Sequence, residues 1–186
     1  MGFAEGAQVV VRGLVQAVAQ AGDLTLEIRQ TLGADGTVPT PEELAREAHR
    51  SALAAQREAL RTFGDHLGVA FQLVDDLLDY KGDAAELGKN VGDDLAEGKP
   101  TLPLIYTMRE GTEEQAALVR RAIQKGGIED LESIRAAVDA AGALDYTARL
   151  ARDYAERAIA CLEVLPAGEY REALVELSRF AVARTH

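Results

Sequence analysis

Apolar residues in this chain recur at intervals of three and four rather than two, and that spacing leaves little room for anything but α-helix. Leu131, Ile134 and Val138 make one such series, and Leu150 to Tyr154 repeats the step of four, with Leu144 and Ile159 on either side. A half-buried strand would alternate instead. Thirty-three alanines in 186 residues, with plentiful Leu, Glu, Arg and Gln, raise helix propensity almost everywhere. The expectation is an all-α chain of seven or eight helices. Thr40-Pro41-Glu42-Glu43 reads as a capping box with proline at the first helical position, and Thr112-Glu113-Glu114-Gln115 as a second box. Lys125-Gly126-Gly127 and Ala141-Gly142 read as helix stops, and Leu165-Pro166-Ala167-Gly168 parts the last two helices.

Charge narrows the function classes. Twenty Lys plus Arg face 31 Asp plus Glu, a net charge of −11. A nonspecific nucleic-acid binder needs a basic surface, so that class is set aside. The lone cysteine, Cys161, excludes a disulfide framework and any zinc site built on cysteines. No window approaches 18 consecutive apolar residues, and the first residues lack a basic region followed by an apolar core. The expectation is therefore a soluble, unexported, cytoplasmic protein without a membrane span. Residues 33–41, rich in glycine and proline, form the clearest loop and part the amphipathic segment 7–30 from the rest of the chain.

The acid is concentrated. Residues 75–98 hold Asp75, Asp76, Asp79, Asp83, Glu86, Asp93, Asp94 and Glu97 against Lys81 and Lys89, a local −6. Six of the thirteen aspartates lie between positions 75 and 94. Aspartate is a mediocre helix former, so propensity did not gather them. The run from Leu67 to Tyr80 reads as one helix with Leu67, Phe71, Val74 and Leu78 on a single stripe, widened by Leu73 and Leu77. The exception is a polar strip of Gln72, Asp75, Asp76 and Asp79, spaced i, i+3, i+4, i+7, on which three carboxylates are expected to converge. Exposed like charges at that spacing cost a helix ~0.2–0.5 kcal/mol, whereas burying a charge without a partner costs several kcal/mol per ion. Something positive is called for, and no Lys or Arg lies within the run. A hard, oxygen-seeking cation suits the donors best. Mg²⁺ takes one or two carboxylates and completes its octahedron with water and phosphate.

Downstream, Gly88-Lys89-Asn90-Val91-Gly92-Asp93-Asp94-Leu95 and Glu97-Gly98-Lys99-Pro100-Thr101 make a glycine-punctuated loop with two isolated lysines, Pro100 marking where a helix can begin. Lysine meets phosphate as a point charge. Carboxylate and metal on one side, with Lys89 and Lys99 on the other, would clamp a diphosphate.

The run from Phe71 to Tyr80, followed by Gly88 to Ile105, resembles the second aspartate-rich region of trans-polyprenyl diphosphate synthases, nearest to the bacterial octaprenyl or similar long-chain type. The resemblance covers about Arg57 to His186. It implies the C-terminal half of an isoprenoid-synthase-like helical bundle, preceded by a divergent helical segment over 1–56. It also implies head-to-tail condensation of isopentenyl diphosphate onto an allylic diphosphate, with Mg²⁺ as cofactor, by a homodimer or in association with another synthase subunit. Carried over by position, Asp75, Asp76 and Asp79 match the aspartates that hold Mg²⁺ against the allylic diphosphate, Asp75 foremost. Phe71 and Gln72 match the pair before them, Lys89 and Lys99 match lysines that touch the diphosphate or cover the closed site, and Asp93 with Asp94 match the pair after the loop.

That chemistry asks for these residue types. Metals neutralise the charge that develops on the departing diphosphate, and the carbocation left behind needs a dry cavity, for which Leu67, Phe71, Val74 and Leu78 are candidate walls. No side-chain nucleophile is required. The family's first aspartate-rich motif has no counterpart here: residues 1–74 contain no Asp-Asp pair, and the first lysine is Lys81. A catalytically silent helical subunit or fragment that pairs with a complete synthase is therefore the competing reading, and a general Mg²⁺-diphosphate binding module a third. Val9, Val10, Val11, Leu14, Val15 and Val18 form an apolar face from which self-association is expected.

Overall fold

The computed structural model describes residues 39–81, 92–126 and 129–183. Among them are seven α-helices and one 3-10 turn, and no strand. In chain order they are α1 (Pro41–Lys81), α2 (Asp93–Ala96), α3 (Leu102–Glu110), α4 (Glu113–Lys125), α5 (Leu131–Ala140), α6 (Ala143–Cys161), the 3-10 turn Leu162–Val164, and α7 (Glu169–Ala183). The chain divides into two compact units, Met1–Glu58 and Ala59–His186. The apolar face at Val9 to Val18, the lysine Lys89 and most of the loop over 33–41 lie outside the described residues.

Both predicted capping boxes are formed. Thr40 N donates to Glu43 Oε2 at 2.8 Å while Glu43 N donates to Thr40 Oγ1 at 3.3 Å, and Thr112 and Gln115 exchange the same pair at the start of α4. The stops are also where punctuation places them: Gly126 ends α4 at φ 66 and Gly142 separates α5 from α6 at φ 71. Of the first unit, the described residues are the start of α1, where Leu44 and Leu53 are exposed.

The second unit is built on α1 from Ala59 onward, and three apolar clusters hold it. Phe63 packs with Ala158 and Leu162, joined by Leu67, Leu165, Leu174 and Val175, which ties α1 to the end of α6 and the start of α7. Further along α1, Leu73 and Val74 meet Ala151, with Leu78, Leu102 and Val182 alongside. At the end of α1, Tyr80 joins Leu95, Leu104, Val119, Ile134, Val138 and Ala143, so five more helices converge there. Alanines at 148, 151, 155 and 158 give α6 a smooth buried stripe along which neighbours approach closely. Two buried hydroxyls are satisfied within their own helices, Thr107 and Thr147 donating to Pro103 O and Ala143 O, each at 2.8 Å.

These contacts revise the proposed cavity walls. Val74 is fully buried and Leu67 and Leu78 are partly buried against α6 and α7, and of the four only Phe71, 49% exposed, has much of its surface in solvent. The tyrosines also differ from one another. Tyr146 stacks on Tyr106 at 4.3 Å and Tyr154 faces His66 at 5.8 Å, whereas Tyr170 stands 82% exposed.

Candidate functional site

The aspartate run occupies the last two turns of α1, and the helix continues from it without a break. A hundred degrees of rotation per residue sends the neighbours Asp75 and Asp76 in different directions, and Asp76 and Asp79 face different helix starts. Asp76 is buried, Asp75 and Asp79 are half-buried. Among the described residues, no three acidic, histidine or cysteine side chains stand close enough to share an ion.

Asp76 faces the start of α3. Its Oδ2 accepts from Leu102 N at 3.3 Å, and its Oδ1 accepts from Gln72 Nε2 at 3.0 Å. The first N–H groups of a helix have no partner within it, and Pro103 in the first turn removes one of them. Thr101 is the N-cap residue of α3, yet its hydroxyl makes no capping bond. It lies 3.2 Å from Tyr80 Oη instead, in a buried pairing across 21 residues. The cap of α3 is thus supplied from α1 by Asp76, and the residue that local rules would employ is engaged by Tyr80. Burial pushes the Tyr80 phenol above its usual range, so it stays protonated and able to donate.

Asp79 faces the start of α2. Gly92 N lies 3.1 Å from Asp79 O and 3.2 Å from Asp79 Oδ1. Burial raises the Asp79 pKa above its ordinary value, and the nearby Asp94 carboxylate raises it further, while the backbone N–H groups of Gly92, Asp94 and Asp93 pull the other way. Its second oxygen, Oδ2, is buried with no hydrogen-bond partner among the described residues.

Between those two anchored points runs the segment that carries Lys99. The Lys99 ammonium donates to Asp94 Oδ1 at 3.0 Å and lies 2.7 Å from Glu97 Oε2. These two carboxylates hold its pKa up, and its side chain remains 56% exposed. Backbone bonds from Lys99 N to Asp94 O at 2.9 Å and from Thr101 N to Lys99 O at 3.0 Å tighten the turn around it. Asp93 is exposed at the start of α2, and Lys89 is outside the described residues.

The structure therefore brings Asp76 and Asp79 onto the segment bearing Lys99, with Gln72 bonded to Asp76, while Phe71 is exposed and Asp75 half-buried. Sequence reasoning missed Tyr80, Thr101 and the specific use of Gly92. A threonine directly before Leu102-Pro103 is a legible helix start, and α3 begins there, two residues after Pro100. Its long-range partner is not legible.

A hard cation fits this donor set. All the nearby side-chain donors are oxygens, and the buried, unpartnered Asp79 Oδ2 lies one turn from Asp75 on the same helix. No helix among the described residues is long and apolar enough to cross a membrane.

A family model described as polyprenyl synthetase matches residues 43–141. The chain is 54% identical over 128 residues to the all-trans-nonaprenyl-diphosphate synthase (geranyl-diphosphate specific) of Rhodobacter capsulatus, covering 69% of this chain and 39% of that protein. It is 52% identical over 130 residues to the octaprenyl diphosphate synthase of Escherichia coli K12, covering 69% of this chain and 40% of that one. A crystal structure of a polyprenyl synthase from Caulobacter crescentus CB15, complexed with calcium and isoprenyl diphosphate, superposes with a TM-score of 0.66 at 47% identity, over 72% of this chain and 41% of that one. The chain thus spans about two-fifths of the length of these relatives.

Proposed function

We propose that this chain, which belongs to the polyprenyl synthetase family, takes part in prenyl transfer, the condensation of isopentenyl diphosphate with an allylic diphosphate to a longer trans-polyprenyl diphosphate. Its own share of that work is to hold the allylic diphosphate. The observation that carries the reading is the docking of the acidic end of α1 onto the segment of Lys99, which sets hard carboxylate oxygens and an ammonium side by side. A relative of 47% identity whose crystal structure contains calcium and isoprenyl diphosphate supports it.

In this reading Asp75 and the spare oxygen of Asp79 hold the cation, Mg²⁺. A bound Mg²⁺ neutralises charge on the diphosphate as it departs. Lys99 and Lys89 add point charges to the same phosphates, Lys99 exchanging one of its two carboxylate partners for a phosphate oxygen. Phe71 offers an apolar surface beside Asp75. The synthase-like part begins near residue 57, and a homodimer in the cytosol is the expected setting.

Calorimetric titration of the full chain with Mg²⁺ and inorganic diphosphate tests the reading. Saturable binding that Asp75→Ala weakens at least about tenfold is expected, the equivalent of ~1.4 kcal/mol. Absence of binding by the unaltered chain would sink it. Labelled isopentenyl diphosphate supplied with an allylic diphosphate then separates the two functional classes. Extractable long-chain product marks an enzyme, and binding without product marks the silent subunit or fragment.

A further inference from the structure

Two helix starts bracket Lys99, and neither is capped by its own sequence. The N-cap of α2 is a glycine, Gly92, with no side chain to offer, and the Thr101 hydroxyl at the N-cap of α3 makes no capping bond. At both places the missing acceptor comes from the last turns of α1, from Asp79 at Gly92 N and from Asp76 at Leu102 N. Tyr80 adds a third tie through Thr101, with 2% of its own surface and 8% of threonine's exposed. Local preferences that a sequence overrides without evident gain in stability point to a functional constraint.

We infer that Asp76 and Tyr80 are positioning residues for Lys99, fixing where the ammonium stands relative to the Asp75 side of α1, and that Asp76 acts as a helix cap in trans rather than as a cation ligand. The geometry of Asp76 supports the division of labour. One of its oxygens is engaged by Leu102 N and the other by Gln72 Nε2, so both already have donors directed at them. Only two positions separate Thr101 from Lys99, and the Thr101 N to Lys99 O bond transmits the register. Loosening either tie lets the lysine sample positions away from the phosphate, and affinity falls by the fraction of time it is misplaced.

This rests on the proposed diphosphate site, so the experiment separates the two. The probe is again Mg²⁺ with inorganic diphosphate, titrated into the full chain, with melting temperature recorded for every variant. Tyr80→Phe and Asp76→Ala each weaken binding about fivefold, the size of one lost cap or buried hydrogen bond. Asp76→Asn restores most of the loss, because an amide oxygen still accepts from Leu102 N and the Gln72 amide can turn to accept from the new NH₂. In a Lys99→Gln background, Tyr80→Phe and Asp76→Ala cost less than about twofold in affinity, yet lower the melting temperature as much as before.

Equal affinity losses with and without Lys99 would overturn the inference, since the residues would then act by another route. So would an Asp76→Asn variant as damaged as Asp76→Ala, which would make Asp76 a ligand of the cation. If the unaltered chain binds no Mg²⁺-diphosphate, the functional reading falls first and this one with it. Should Asp76→Ala fail to fold, Tyr80→Phe, which removes a single oxygen, carries the comparison alone.

Discussion

Gly92 shows how far one residue can be constrained by its surroundings. Its φ is +88, a region that side chains rarely adopt, and a Cβ built there would meet Leu131 Cδ1 at 2.8 Å. Its N–H must also remain aimed at the end of α1. Gly92→Ala should therefore lower unfolding stability by about 1–3 kcal/mol, from a strained backbone and the displaced Leu131. Urea unfolding measures this, and a midpoint equal to that of the unaltered chain would refute it. In the sequence, Gly92 is one glycine among several in a loop. The aspartates are legible as a group because their spacing places them on neighbouring faces of one helix. How their oxygens are shared out is not, since the backbone partners Gly92 and Leu102 lie more than ten residues away.

At the scale of the element, α1 is 41 residues long, and its two ends follow different rules. The Thr40–Glu43 box is local, so the sequence displays it whole. Glu43 accepts from the Thr40 backbone and hydroxyl, and these bonds hold its pKa below the ordinary 4.5. A carboxyl with a depressed folded pKa contributes stability above its unfolded value and loses that contribution as pH falls through the folded one. Glu43→Ala should accordingly melt below the unaltered chain at about pH 6, with the gap narrowing as pH falls below the ordinary 4.5. A gap that persists unchanged in acid would show that the ionised carboxylate is not its source. The other end of α1 obeys tertiary rules. Apolar periodicity locates the helix over Leu67 to Tyr80, but which stripe is core and which is wall depended on α6 and α7 being present to cover Leu67, Val74 and Leu78.

At the scale of the molecule, the second unit is stabilised where several elements share one cluster. Leu104 is fully buried among residues of α1, α2, α4 and α5. Leu104→Ala should cost ~2–5 kcal/mol, the range for truncating a leucine in a well-packed core. Because that cluster includes Tyr80, loss of the Tyr80–Thr101 pairing should accompany it, and near-ultraviolet circular dichroism reports the tyrosine environment. A change below ~1 kcal/mol would mean that the cluster is less well packed than its burial indicates. By itself, the sequence determined the helical class, both capping boxes, the glycine stops and the existence of an acidic motif beside a lysine-bearing loop. Each of these rests on residues within a few positions of one another, where 3.6-residue periodicity and local hydrogen bonding set the outcome. Only the tertiary structure decided that Asp76 and Asp79 cap other helices, that Thr101 turns to Tyr80, and that three of four candidate wall residues pack against α6 and α7. Those outcomes are contacts between distant segments, and such contacts exist only once packing has brought the helices together.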